Sequence, residues 1–178
     1  MLYPYALLAF GLVCASLTIW TWRACRPAGK AVWEKLPRHI ALGMVLGAVD
    51  LAWCVPHAEP VFYIGAWRWL LPLACALLVV AYSFTDYHFS RALAGFLILL
   101  AHYFLLESFA AHSPIKGLFS FLCVVMGTAG VFIGGMPYLL RDLIRKVCDS
   151  TGWRAAIVGL MAIYAAVSII LGVFHLVK

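Results

Sequence analysis

The sequence predicts an all-α protein, a polytopic bundle of about six transmembrane helices, and three observations carry that expectation. Of its 178 residues, 66% are hydrophobic and 11% charged, where soluble domains run near ~45–50% and ~25%. A folded domain of roughly 150 residues still leaves about 30% of its chain surface in water, so an excess this large must face lipid. Apolar stretches near the length of a membrane crossing recur along the chain, and Lys and Arg collect in alternate connections between them.

The first stretch, 2–22, has no Lys or Arg before it. A secretory signal peptide carries its positive charge there; here the charge follows, which suits an anchor inserted N-terminus outward. The second, 40–55, is short for a ~30 Å core and has to thin the bilayer or borrow 36–39. Pro37 then falls in a first turn, where a missing N–H costs little. The third and fourth are 67–84 and 92–111. The fifth and sixth are 117–140 and 154–177. Pro72 and Pro137 lie near span ends, where a kink is tolerable. The connections are too short to hold an extramembrane domain, so residues 1–178 read as a single integral membrane domain.

Charge placement tests the layout. Arg23, Arg26, Lys30, Lys35 and Arg38 follow the first span, Arg91 follows the third, and Arg141, Arg145, Lys146 and Arg154 follow the fifth. With six spans these fall on one side, leaving Arg68, Lys116 and Lys178 opposite. The positive-inside rule then puts the basic connections in the cytoplasm and both termini outside. Removing any interior span would split the two basic stretches between sides. Trp20, Trp22, Trp53, Trp67, Trp69 and Trp153 fall at span ends, where indole prefers the interface. The chain has no Asn, hence no glycosylation acceptor. That absence, with the short connections, points to a bacterial cytoplasmic (inner) membrane.

Small residues mark packing faces. Gly43/Gly47 and Gly130/Gly134 each form Gly-x-x-x-Gly, and the last span carries Ala155/Gly159, Ala162/Ala166 and Ser168/Gly172. The four glycines offer a route to a membrane partner or a second copy. The pairing of the two glycine motifs also hints at an inverted three-plus-three repeat. Beyond such a partner the expected surroundings are the lipid bilayer alone. The net charge of +6 lies at span ends and not on an aromatic-rich basic stripe, which argues against nucleic acid. Cys14, Cys25, Cys54, Cys75, Cys123 and Cys148 include no C-x-x-C spacing and read as small hydrophobes, not as a disulfide frame or zinc site. No cofactor, metal site or catalytic set is expected.

Four residues stand out as a candidate intramembrane polar site: Asp50, His102, Glu107 and Arg68. Asp50 lies inside the second span, about five residues (~7 Å) from its outer end. Inserting Asp at a span centre costs on the order of 2.5–3.5 kcal/mol. At 100° per residue it shares a face with Gly43, Gly47 and Cys54, so it points into the bundle, either as an ion-binding carboxylate or as glue paired with Arg68. His102, mid-span, reads as a proton relay or haem ligand, or as a neutral ring satisfied by a neighbour. Glu107 is about 140° round the helix from His102, which excludes a metal pair on one stripe, but sits at i+4 from Tyr103. It either snorkels to headgroups or joins Asp50, His57, Glu59, Arg68 and His112 in an outward-opening pocket. At the basic end, Arg141 is expected beside Asp86, or Asp142 beside Arg91.

No G-x-x-x-x-G-K-[ST], H-E-x-x-H or G-x-S-x-G is present. By elimination the first expectation is a non-catalytic subunit, scaffold or assembly factor. The alternatives are a small proton- or cation-coupled transporter using Asp50 and Glu107, and a membrane enzyme acting on a lipid.

Overall fold

The structure, a computed structural model, describes residues 2–62, 67–84, 86–111 and 115–177, with the side chains of 28, 56–62, 67, 81 and 84 outside that description. Every regular element among them is helical. The long helices are α1 (Tyr3–Ala24), α3 (Ile40–Phe62), α4 (Trp67–Phe84), α5 (His88–Ala110), α6 (Lys116–Gly135) and α8 (Thr151–Val177), joined by the shorter α2 (Lys30–Trp33) and α7 (Tyr138–Asp149). Among the described residues α1, α5, α6 and α8 are each long and apolar enough to cross a membrane. A fifth candidate is broken: Lys30–Arg38 and Ile40–Val55 meet at a 44° bend, and the apolar part of α4, Arg68–Val80, is shorter. Length and apolarity therefore support four to five spanning helices, short of the six expected.

Three elements differ from the sequence reading. The helix expected at 40–55 runs to Phe62, through Pro56 and Pro60. Each proline removes only one backbone bond, and a helix in lipid keeps the rest because nothing else can satisfy them. Trp53 is consequently well inside α3, edge-on to Phe96 at 6.2 Å between ring centres, though two residues from the end of the apolar segment Ile40–Val55. Pro37 belongs to a 3-10 turn, Leu36–Arg38, and His39 breaks the chain before α3, its Nδ1 accepting from the Leu42 N–H at 3.3 Å. The stretch expected at 117–140 stops at Gly135, and α7 follows. Leu139, Leu140, Leu143, Ile144, Val147 and Cys148 recur every three to four residues on one face of α7, with its charges on the other. That pattern makes an amphipathic helix, not an irregular connection.

The chain divides into two compact units. The first comprises Met1–Glu34, His102–Val125 and Asp142–Lys178. There α8 closes on α1: a Cβ at Gly11 would meet the Ala165 carbonyl at 3.2 Å, and one at Gly172 would meet the Leu8 side chain at 2.8 Å. Close approach through small residues is how lipid-embedded helices associate. Leu7, Phe104, Phe119 and Leu171 are fully buried. Phe104 holds Phe10 at 5.2 Å and Phe119 at 5.8 Å between ring centres, and Tyr164 donates to the Leu122 carbonyl at 2.7 Å.

The second unit comprises Lys35–Ala101 and Met126–Arg141. Here α3 meets α5 backbone to backbone: a Cβ at Gly43 would lie 2.5 Å from the His88 carbonyl carbon. On α6, a Cβ at Gly130 would meet the Ala94 carbonyl at 2.9 Å. The Ser90 hydroxyl, fully buried, donates to the Pro137 carbonyl at 2.9 Å and ties the start of α5 to the break before α7.

Candidate intramembrane site

Asp50 sits near the middle of α3, ten residues from Ile40 and twelve from Phe62, or about 15 and 18 Å along the axis. The longer helix places Asp50 near its middle, whereas within the apolar part, Ile40–Val55, it keeps the position five residues from the end that the sequence predicts. The face assignment holds: Gly43, Gly47 and Asp50 line one hollow of about 270 Å³ with Leu77 and Leu78 of α4 and His88, Arg91 and Ala92 of α5. Glycine at position 95 makes the room, since a Cβ there would stand 3.1 Å from Asp50 Oδ2.

The carboxylate is 8% exposed, and its buried Oδ1 has no hydrogen-bond partner among the described residues. Among the described residues no ion pair joins Asp50 to Arg68. Buried polar atoms are nearly always satisfied, and a lone charge is the costliest exception. The basic groups around the hollow are engaged locally. Arg91 donates from Nε to the Asp86 backbone carbonyl at 3.3 Å, and His88 Nε2 lies 3.4 Å from the Tyr82 carbonyl. The hollow is thus an apolar cleft with one unsatisfied acid and basic residues from one end of α5.

The other sequence candidates are placed separately. Arg68 is exposed in the first turn of α4. His102 is exposed on α5. Glu107 lines a hollow of about 550 Å³ in the first unit, with Tyr3, Tyr5 and His175. That hollow and the one at Asp50 share no lining residue. The side chains of His57 and Glu59, and all of His112, lie outside the described residues. Among those described, no three His, Cys, Asp or Glu are grouped to hold a metal ion, and all six cysteines are unbridged.

Two features escaped sequence reasoning. The α2 and α7 helices form a charged platform in which Lys30 pairs with Asp149 and Arg145 with Glu34. The apolar spacing of α7 was the signal for it. At the basic end of the second unit, Arg38 Nη2 and Arg141 Nη1 both donate to the Tyr87 hydroxyl, at 2.8 and 3.2 Å. Comparison with protein families, with curated proteins and with solved structures returns no match.

Proposed function

We propose that this protein is a small membrane transporter coupled to protons or a small cation, with Asp50 as the group that binds the coupling ion. The observation that carries the reading is the buried, unpartnered carboxylate at the centre of α3, facing a hollow. A carboxylate kept only as glue would have a partner, whereas a carboxylate that must take up and release an ion gains from lacking a permanent one. Glu107 lines a separate hollow near the end of α5 and has no part in this reading.

In this reading the chain crosses six times. The 23 residues of α3 reach about 34 Å and the 18 of α4 about 27 Å, enough with modest bilayer adjustment. Ten of the 13 Lys and Arg then share the cytoplasmic side of a bacterial inner membrane, with both termini outside.

Purified protein in liposomes containing a pH-sensitive dye tests the idea, with a potassium gradient and valinomycin to drive flux. Wild type is expected to move protons or a tested monovalent cation, Asp50→Asn to lose that flux, and Asp50→Glu to keep part of it. Flux unchanged by Asp50→Asn defeats the proposal.

A second reading, a non-catalytic subunit or assembly factor, is favoured by the α2–α7 platform, whose paired charges present a rigid polar surface. It predicts a partner retained in mild detergent and function that survives Asp50→Asn. Because Gly43 and Gly130 pack inside the second unit, that partner would dock elsewhere than on these glycines.

A further inference from the structure

We propose that Cys25 and Cys148 of the first unit form a paired modification site, which a low-molecular-weight disulfide oxidises to a single Cys25–Cys148 bond fastening the end of α1 to α7. It is separate from the Asp50 hollow and does not depend on how that hollow works.

The two thiols meet because the backbone on each side of them is held. Cys25 caps α1, its N–H donating to the Thr21 carbonyl at 3.1 Å. The α2 segment folds back on that end: Trp33 Nε1 donates to the Ala24 carbonyl at 3.2 Å, and its ring stands edge-on to Trp20 at 4.4 Å between centres. In turn α2 is fixed to α7 at two points, by Lys30 on Asp149 and by Arg145 on Glu34. Lys30 follows Cys25 by five residues and Asp149 is next to Cys148, so the first ion pair draws the two cysteines together. Arg154 of α8 donates to the carbonyls of Val147 and Cys148 at 3.2 and 2.8 Å and steadies the α7 side. Within this clamp the Cys25 and Cys148 side chains are hydrogen-bonded to each other.

The setting distinguishes this pair from the other cysteines. Cys14, Cys54, Cys75 and Cys123 lie inside long apolar helices, whereas Cys25 and Cys148 lie where helices end in a charged platform. Cys25 is half-buried and Cys148 fully buried, so a reagent meets Cys25 first. The Cys25 thiolate attacks one sulfur of the reagent disulfide, forming a mixed disulfide and expelling one thiolate. The Cys148 thiolate then attacks the Cys25 sulfur, forming the protein bond and expelling the second. Two cysteine thiols lose two electrons and two protons, and one reagent disulfide becomes two thiols. Excess reduced thiol reverses both steps.

Entry is slow and closure fast. Burial, with the Cys148 thiol beside it, holds Cys25 up at about 11, and the Arg154 guanidinium only partly opposes this. Lys30 and Asp149 act in opposite senses on Cys148. Little Cys25 thiolate is therefore present at neutral pH, and its share rises about tenfold per pH unit below that value. The second step is intramolecular between groups already in contact, so the mixed disulfide does not accumulate.

The test uses the whole chain, reduced, purified in neutral detergent, freed of reductant and treated with dithiodipyridine. Wild type is expected to release two pyridinethiones at this pair, and digestion without reductant to yield the Cys25 peptide joined to the Cys148 peptide from monomeric protein. The rate should rise about tenfold from pH 7 to pH 8. Cys148→Ser should stop at a pyridyl adduct on Cys25, and Cys25→Ser should leave Cys148 at least about tenfold less reactive than Cys25 was. The oxidised chain should unfold at a midpoint about 5 °C higher or more than the reduced one. The proposal is overturned if Cys25 of wild type stops at the pyridyl adduct, if either cysteine bonds preferentially to another, or if oxidation lowers the midpoint. It is equally overturned if both remain thiols at pH 9 after about a thousand half-times of a cysteine in a short peptide.

Discussion

The two units treat their charged groups differently, although buried hydroxyls without a hydrogen-bond partner, at Ser120 and Ser168, also lie in the first. In the first, charges away from the apolar core are used to close the structure. Lys30 pairs with Asp149, and Arg145 grips Glu34 through two bonds at 2.9 and 3.3 Å. Arg154 donates to the carbonyls of Val147 and Cys148 at 3.2 and 2.8 Å, groups that the end of a helix otherwise leaves orphaned. In the second unit Asp50 is buried with an unsatisfied oxygen, and two arginines share one phenol. A buried charge is far costlier to leave unpaired than a hydroxyl, so a carboxylate without a partner marks the place where an ion would bind. The proposed function accordingly places the ion-binding group in the second unit and gives the first a supporting role.

The largest effect expected from this contrast is on thiol chemistry. Cys25, just past the end of α1, contacts Cys148 of α7. Burial, reinforced by that neighbouring thiol, pushes Cys25 up to about 11 from an ordinary value of 9.0. A raised pKa means less thiolate at a given pH, and the thiolate is the nucleophile. At pH 8 Cys25 should react with iodoacetamide about 100-fold more slowly than an exposed cysteine, as peptide mass spectrometry over time would measure. Alkylation at the rate of a free thiol would show that the first unit is not closed there.

Packing gives the next largest effect, and it too separates the units. A Cβ at Gly43 would lie 2.5 Å from backbone atoms of His88 and Phe89, which cannot step aside without moving α5. At Gly172 in the first unit the closest neighbour is the Leu8 side chain at 2.8 Å, which can rotate. Gly43→Ala should therefore cost about 1–3 kcal/mol by overpacking, and Gly172→Ala less. Gly47→Ala, whose Cβ would meet Leu78 at 3.5 Å, should fall within about 0.5 kcal/mol of wild type. Unfolding in mixed detergent followed by tryptophan fluorescence would rank the three, and equal losses at positions 43 and 47 would contradict the close backbone approach.

A smaller change, opposite in sign, is expected at Asp50. Replacing an unpaired buried carboxylate by a neutral side chain of the same shape removes a desolvation cost, so Asp50→Asn should raise stability by about 1–2 kcal/mol. A destabilised Asp50→Asn would mean that the carboxylate holds the helices together, and the transporter reading would lose its basis even before any flux is measured.

Which of these features could be read from the chain follows from the range of the forces behind them. Apolar runs fall close to α1, α4, α5 and α8 because each is decided locally by transfer into lipid. The shared face of Gly43, Gly47 and Asp50 follows from 100° per residue and needs no partner. The extension of α3 to Phe62 escaped the apolar-run reading because 56–62 is less apolar than 40–55, although the helix continues through it. The α7 helix was missed because charges at 141, 142, 145 and 146 suggested a connection, while the apolar residues between them kept helical spacing. Depth arithmetic gave a height for Asp50 and Glu107 but not an azimuth, so it could not show that they line different hollows. Pairs as distant as Arg38 with Tyr87, or Arg145 with Glu34, leave no local trace.

The smallest effect expected concerns the first unit's ion pairs, and there the contrast is sharpest. The Glu34 and Arg145 side chains are 23% and 45% exposed, so water and salt screen their attraction, and such pairs contribute about 0–1 kcal/mol. A double-mutant cycle on Glu34→Gln and Arg145→Gln should return a coupling below about 1 kcal/mol that shrinks between 50 mM and 500 mM salt. The change in stability at Asp50 should be insensitive to salt over the same range, because the group is shielded from mobile ions. A large, salt-independent coupling at Glu34–Arg145 would place that pair in a desolvated setting. The first unit, too, would then hold charge at a cost, and assigning function to the second alone would no longer follow.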